Sequence, residues 1–167
     1  MKTILYAEDD ANDVFLLQRA FRLEEVNNPL QTVQDGEQAL DYLLGQGRFS
    51  DRARYPVPGL VLLDMKMPKL NGLEVLRRIR PRCGLEKMPV AFLTSAFLAI
   101  DVAEAYHLGA NFFIVKPFKF DELREIARFL KDWVPHMTPP PPDEKDWVVL
   151  TGHDLAKHRP QLGRRAA

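Results

Sequence analysis

The chain has 167 residues, with 23 Lys+Arg against 23 Asp+Glu and a formal net charge of zero. That balance argues against a generic DNA-binding or membrane-surface protein, both of which usually carry a basic excess. A lone cysteine, Cys83, excludes a disulfide framework, and 46 % hydrophobic residues suffice for the core of about one domain.

The first predicted element is a strand, Thr3–Ala7, followed by three consecutive carboxylates, Glu8, Asp9 and Asp10. Val14, Leu17 and Phe21 then recur at helical spacing, with Asn12 or Asp13 as plausible caps and Asp10 as another. Leu30–Val33 reads as a second strand. Gly36–Leu44 reads as a second helix, stopped by Gly45 and Gly47. The loop Gln46–Pro58 carries Arg48, Arg52 and Arg54, read as a solvated face. Next come a strand at Gly59–Leu63, a helix at Leu73–Ile79, a strand at Val90–Thr94 and a helix near Ile100–Leu108. Phe112–Val115 is a fifth strand, and Asp121–Trp133 a fifth helix. Strands 3, 4 and 5 are apolar throughout, the mark of parallel strands buried on both faces. Five βα units in this length imply a flavodoxin-like, doubly wound α/β sheet in the order 2-1-3-4-5, with helices on both faces.

After Val134 the composition changes. A Pro139–Pro142 run, then "KDWVVL" at 145–150, makes residues 135–167 a Pro-rich tail distinct from a domain at 1–134. No stretch has membrane-spanning length or a signal-peptide core, so a soluble, cytoplasmic chain is expected.

In an open parallel sheet the functional crevice lies beyond the carboxyl ends of the strands. Those ends carry Glu8-Asp9-Asp10, Asp64, Thr94-Ser95 and Lys116-Pro117. Grouped carboxylates call for a hard cation such as magnesium, completed by water and phosphate oxygens. An ammonium and a hydroxyl beside them suit an oxyanion. The set fits phosphoryl transfer, with one carboxylate as nucleophile.

The acidic pair after strand 1, "LLDMKMPKLNG", "FLTSA" and "VKPF" resemble, in order and spacing, a CheY-like receiver domain of a two-component response regulator. The resemblance covers roughly residues 1–134. The long loop before "GLVLLD", the "DVAEAYHLGANFFIVKPF" stretch and a Trp near the end of the last helix are similar to single-domain regulators paired with phytochrome-type sensor histidine kinases. This resemblance implies Asp64 as phosphoacceptor. It implies Glu8 (mainly through water), Asp9, Asp64 and the Lys66 backbone carbonyl around Mg2+, with Mn2+ as an alternative ion. Thr94 and Lys116 would contact the phosphoryl group, and Thr94 and Phe113 would act as the switch. A cis Lys116–Pro117 bond is also implied. Phe113 stands where many relatives have Tyr, so a switch there works by burial rather than by a hydroxyl.

Several residues carry plainer readings. Cys83 is read as an inert thiol, His107 as a surface group and Tyr106 as core. A haloacid dehalogenase-like, magnesium-dependent phosphohydrolase is disfavoured, because its second Asp would fall on Lys66 and no cap-sized insertion exists. A scaffold acting without phosphorylation typically lacks one of the motif residues, all of which are present. The tail lacks a helix-turn-helix pattern, so output through DNA is not expected. The resemblance implies instead a sensor histidine kinase as partner and a chain that is not a conventional turnover enzyme.

Helix 5 carries the stripe Leu123, Ile126, Ala127, Leu130 and Val134, flanked by Phe129 and Trp133. Strand 5, with Phe112 and Ile114, is expected at the sheet edge, and apolar edges are normally covered. A homodimer through helix 4, strand 5 and helix 5, as in the regulators the chain resembles, is expected over the plainer reading that Trp133 folds back on its own domain, with Trp147 and Val149 anchoring a C-terminal arm on the neighbour.

Overall fold

The computed structural model describes residues 1–134 and 149–155. The elements are β1 (Ile4–Ala7), α1 (Ala11–Leu23), β2 (Leu30–Val33), α2 (Gly36–Leu44), a 3-10 turn (Gly47–Phe49), β3 (Leu60–Leu63) and α3 (Gly72–Ile79). They continue with β4 (Val90–Thr94), α4 (Ala99–His107), β5 (Phe112–Val115), α5 (Phe120–Trp133), β6 (Val149–Leu150) and α6 (Gly152–Leu155). The strands form one parallel sheet in the order β2-β1-β3-β4-β5-β6. The expected five-strand order is present, with a sixth strand added.

Side chains alternate across each strand, so a strand buried on both faces feeds two cores. Leu5, Val61, Leu63, Phe92 and Phe113 pack towards α2, α3 and α4. Ile4, Tyr6, Leu60, Leu62 and Ile114 pack with Leu17, Phe21, Ile126, Leu130 and Trp133 from α1 and α5.

Helix starts follow from polar caps that satisfy otherwise orphaned N–H groups. Asp10, not Asn12 or Asp13, caps α1; its carboxylate accepts from the Asn12 amide at 2.7 Å. Asp35 caps α2, and Asn71 with Glu74 forms a capping box on α3. At the far end of α2, Gly45 adopts φ 69°, and the Arg52 guanidinium donates to the Tyr42 and Leu43 carbonyls at 2.7 and 2.8 Å. Arg52 therefore closes α2 instead of lying on a solvated face. Arg80 plays a similar part for α4. It donates to the carbonyls of Leu108 and Gly109 at the helix end and to those of Leu85 and Met88 before β4.

The sheet edge departs from expectation. Beyond β5 lies β6, with Phe113 opposite Val149 and Ile114 opposite Leu150. Leu150 and Leu155 are buried against α5, and Gly152 sits so close that a Cβ there would lie 2.6 Å from Glu122 Cβ. Ile114, Phe129 and Trp133 are accordingly buried within their own chain, with Trp133 only 2 % exposed. The Phe112 ring meets Phe129 and Trp133 edge-on at 5.0 and 4.9 Å. β5 is thus not a bare edge, a correction with a simple cause: a two-residue strand after a proline run carries no periodicity from which to predict it. Val149 is 38 % exposed, while Trp147 and the proline run lie outside the described residues.

Candidate functional site

Backbone bonds that continue past the strand ends set the site. The Glu8 amide donates to the Val33 carbonyl at 2.9 Å, the Asp64 amide to Ala7 at 3.0 Å, and the Lys116 amide to Thr94 at 2.9 Å. Glu8, Asp64 and Lys116 are thus each the first residue after their strand, held by the ladder of its neighbour, while Thr94 ends β4 itself. Gly72 allows α3 to begin directly behind Asp64, since a Cβ there would lie 2.4 Å from the Asp64 carbonyl oxygen.

One oxygen from each of Glu8, Asp9 and Asp64 lies within 4.8 Å of the others. Glu8 and Asp64 are buried and Asp9 is exposed. This hard-oxygen set at the rim of a crevice fits a small divalent cation that keeps part of its water shell. Lys116 Nζ lies 2.5 Å from Glu8 Oε2, 2.8 Å from Asp13 Oδ2 and 3.4 Å from Asp64 Oδ1. Asp64 Oδ2 accepts the Lys66 amide at 3.1 Å.

The adjacent like charges of Glu8, Asp9 and Asp10 are accommodated by direction and pairing. Glu8 turns inward, where Oε2 accepts from the Tyr6 hydroxyl at 2.9 Å as well as from Lys116. Its other oxygen, Oε1, accepts the Asp10 amide at 3.1 Å. Asp10 turns to cap α1. Burial raises the Glu8 pKa above the usual carboxylate range, with Lys116 opposing that shift. Burial and the neighbouring Glu8 carboxylate raise the Tyr6 phenol. For Lys116 burial favours the neutral amine, but the hydrogen bonds to Asp13 and Glu8 outweigh it and raise the pKa, so the ammonium form is held.

Thr94 is fully buried, and its hydroxyl exchanges hydrogen bonds with the backbone of Ala96 at 3.3 Å. Phe113 is also fully buried, stacked on Phe92 at 5.5 Å and edge-on to Phe97 at 5.0 Å. Phe97 belongs to the same β4–α4 loop as Ala96, so the Thr94 hydroxyl and the Phe113 ring touch one segment from two sides.

The Lys116–Pro117 bond is trans, since no peptide bond among the described residues is cis. This corrects the cis expectation; prolyl bonds keep a trans preference of about 0.5–1 kcal/mol, and Lys116 reaches its carboxylates with that geometry. Tyr6 and Asp13 were not among the predicted site residues. Tyr6 was readable, because residues two apart on a strand share a face with Glu8. Asp13 was open to two readings, because an acid early in a helix is also a helix-start signal.

Comparison with known protein families matches residues 4–128 to the response regulator receiver domain. Response regulator Rcp1 of Synechocystis is 31 % identical over 140 residues, covering 83 % of this chain and 93 % of that protein. The crystal structure of the Mn(2+)-bound form of Rcp1 superposes with a TM-score of 0.73 at 30 % identity, over 84 % of this chain and 100 % of the other. That of the phosphorylated cyanobacterial phytochrome response regulator RcpA gives 0.74 at 30 % identity, over 84 % and 99 %. Phosphorylation on an aspartate is the role of this family. The chain belongs to the response regulator receiver domain family, among relatives that include phytochrome response regulators.

Proposed function

We propose that Asp64 accepts a phosphoryl group from a phosphohistidine of a sensor histidine kinase, of the phytochrome type. The observation that carries this reading is the convergence on Asp64 of the Glu8 and Asp9 carboxylates and the Lys116 ammonium, the last at 3.4 Å. A carboxylate oxygen of Asp64 attacks phosphorus while the bond from phosphorus to the imidazole nitrogen breaks. The imidazole leaves with that electron pair, and an acyl phosphate forms. Hydrolysis reverses the modification: water attacks phosphorus, the phosphorus–carboxyl oxygen bond breaks, and Asp64 and inorganic phosphate remain. Both steps are self-catalysed, and the domain is not a turnover enzyme.

Mg2+ is the proposed ion, with Mn2+ able to replace it; it would neutralise charge on the transferring group. Asp9 and Asp64 would bind it directly, Glu8 through water, and Lys66 through its backbone carbonyl. Lys116 then holds one phosphoryl oxygen. The Thr94 hydroxyl leaves Ala96 for another, which moves the β4–α4 loop and repacks Phe97 against Phe113.

The remaining proposals concern organisation. Residues 1–134 form the receiver and 135–167 a tail, whose Val149–Leu155 part packs back on the receiver. The protein acts in the cytoplasm through protein contacts, not on nucleic acid or membrane. It pairs as a homodimer through α4, β5 and α5. Because β6 follows a long segment, its Val149–Leu150 strand can be exchanged between copies with the same contacts to β5; Phe112 and the outer side of Val149 then lie at the junction, over Ile114, Phe129 and Trp133. Light scattering at tens of micromolar, on the whole chain and on one cut after Val134, tests this: a monomeric whole chain refutes the dimer.

The function is tested by incubation with acetyl phosphate and magnesium. Intact mass should rise by one phosphate in wild type and not in Asp64→Asn; equal labelling of both refutes the assignment.

A further inference from the structure

We propose that Asp13 is a positioning residue that competes with the phosphoryl group for Lys116. An ammonium has three donors and no more. In this structure Lys116 donates hydrogen bonds to Glu8 and Asp13, at 2.5 and 2.8 Å, while its contact with the acceptor Asp64 is an ion pair only, at 3.4 Å. Lys116 is therefore held mainly by carboxylates that do not react.

The two holders differ in what release would cost. Glu8 is 2 % exposed and is fixed by the Tyr6 hydroxyl and the Asp10 amide besides Lys116. Its removal from the ammonium would strand a charge in the interior. Asp13 lies in the first turn of α1, its side chain is 36 % exposed, and water can replace Lys116 around it. Modification of Asp64 replaces a single negative charge by a phosphoryl dianion beside the ammonium, which strengthens that claim on Lys116. The contact given up is the cheaper one, to Asp13.

Two consequences follow. Asp13 slows phosphorylation, because part of the transition-state pairing with Lys116 is offset by breaking an existing ion pair. Phosphorylation also frees the first turn of α1, so the modification is felt there as well as in the β4–α4 loop.

The inference rests on Asp64 as the acceptor, and the experiment separates the two. Wild type, Asp13→Asn, Lys116→Met, the double variant and Asp64→Asn are incubated with acetyl phosphate and magnesium, and initial rates are taken from intact mass. Asp13→Asn, which keeps size but not charge, should be faster than wild type by about three- to tenfold, the reach of one partly exposed charged contact. In the Lys116→Met background the same change should alter the rate less than about twofold, because there is no ammonium to release. An Asp13→Asn rate at or below wild type overturns the proposal. So does equal acceleration without Lys116, which would mean simple repulsion of the donor.

Amide exchange over residues 11–15 gives a second readout that does not need the Lys116 variant. Exchange should quicken on phosphorylation in wild type and be already fast, and unresponsive, in Asp13→Asn. No change in wild type overturns the proposal. Wild type that labels no more than Asp64→Asn overturns the acceptor assignment itself, and this inference with it.

Discussion

Trp133 distinguishes a side chain that belongs to the core from one that waits for a partner. It ends α5, is 2 % exposed, and takes the Phe112 ring edge-on at 4.9 Å within the cluster that holds Ile126, Leu130 and Leu150. Trp133→Ala removes the indole from a site with little room to collapse, which costs about 3–5 kcal/mol, of which about 0.5–1.5 reflects the aromatic pair. A domain of this size is stable by only about 5–15 kcal/mol, so Trp133→Phe, expected to cost less, is the companion variant. Urea unfolding followed by circular dichroism gives the midpoints, and a double-mutant cycle with Phe112→Leu isolates the ring contact. Loss of less than about 1 kcal/mol in Trp133→Ala, with only self-association affected, would refute burial of the indole in its own domain and restore it as an exposed contact between copies.

Asp9→Ala should leave Asp64 reactive while weakening the magnesium dependence of labelling at least tenfold; an unchanged magnesium titration would remove Asp9 from the site. Thr94→Ala should still accept phosphate, yet the change in amide exchange over residues 95–99 on phosphorylation should shrink by more than half; a full-sized response would refute the coupling. Arg80→Met should cost about 2–4 kcal/mol in urea unfolding, because four carbonyls lose their donor; a loss within about 0.5 kcal/mol would contradict the clamp. The hydrogen bond from Arg128 to Glu24, aided by Arg124 and opposed by burial, holds the Glu24 carboxyl below the usual range. That lowered pKa gives stability present above the ordinary carboxylate pKa and lost as pH falls through the folded value, so Glu24→Gln should be less stable than wild type at pH 7 and converge with it as pH falls below the ordinary carboxylate pKa; a constant difference would be the contrary result.

The sheet and the crevice were legible because both are written in simple terms. Apolar runs such as Leu60–Leu63 state burial on two faces, and Asp64, Thr94 and Lys116 each follow such a run directly. What escaped is what a linear pattern does not encode. Asp13 and Lys116 are more than a hundred positions apart and meet only because β5 ends beside the start of α1. Arg52 looks like any loop arginine until the end of α2 is brought to it. β6 is two residues long, too short for a period, and it is specified by the apolar groove between β5 and α5 that Leu150 fills. The Lys116–Pro117 isomer came from resemblance alone, and the residues themselves do not dictate it.

The position of the phosphate is the most direct test. After incubation with acetyl phosphate and magnesium, borohydride reduces an aspartyl phosphate to homoserine, and peptide mass spectrometry reads where. The phosphoacceptor assignment predicts homoserine at position 64 and at no other aspartate; homoserine at Asp9, Asp10 or Asp13, or none anywhere in a protein that has gained phosphate, would contradict it.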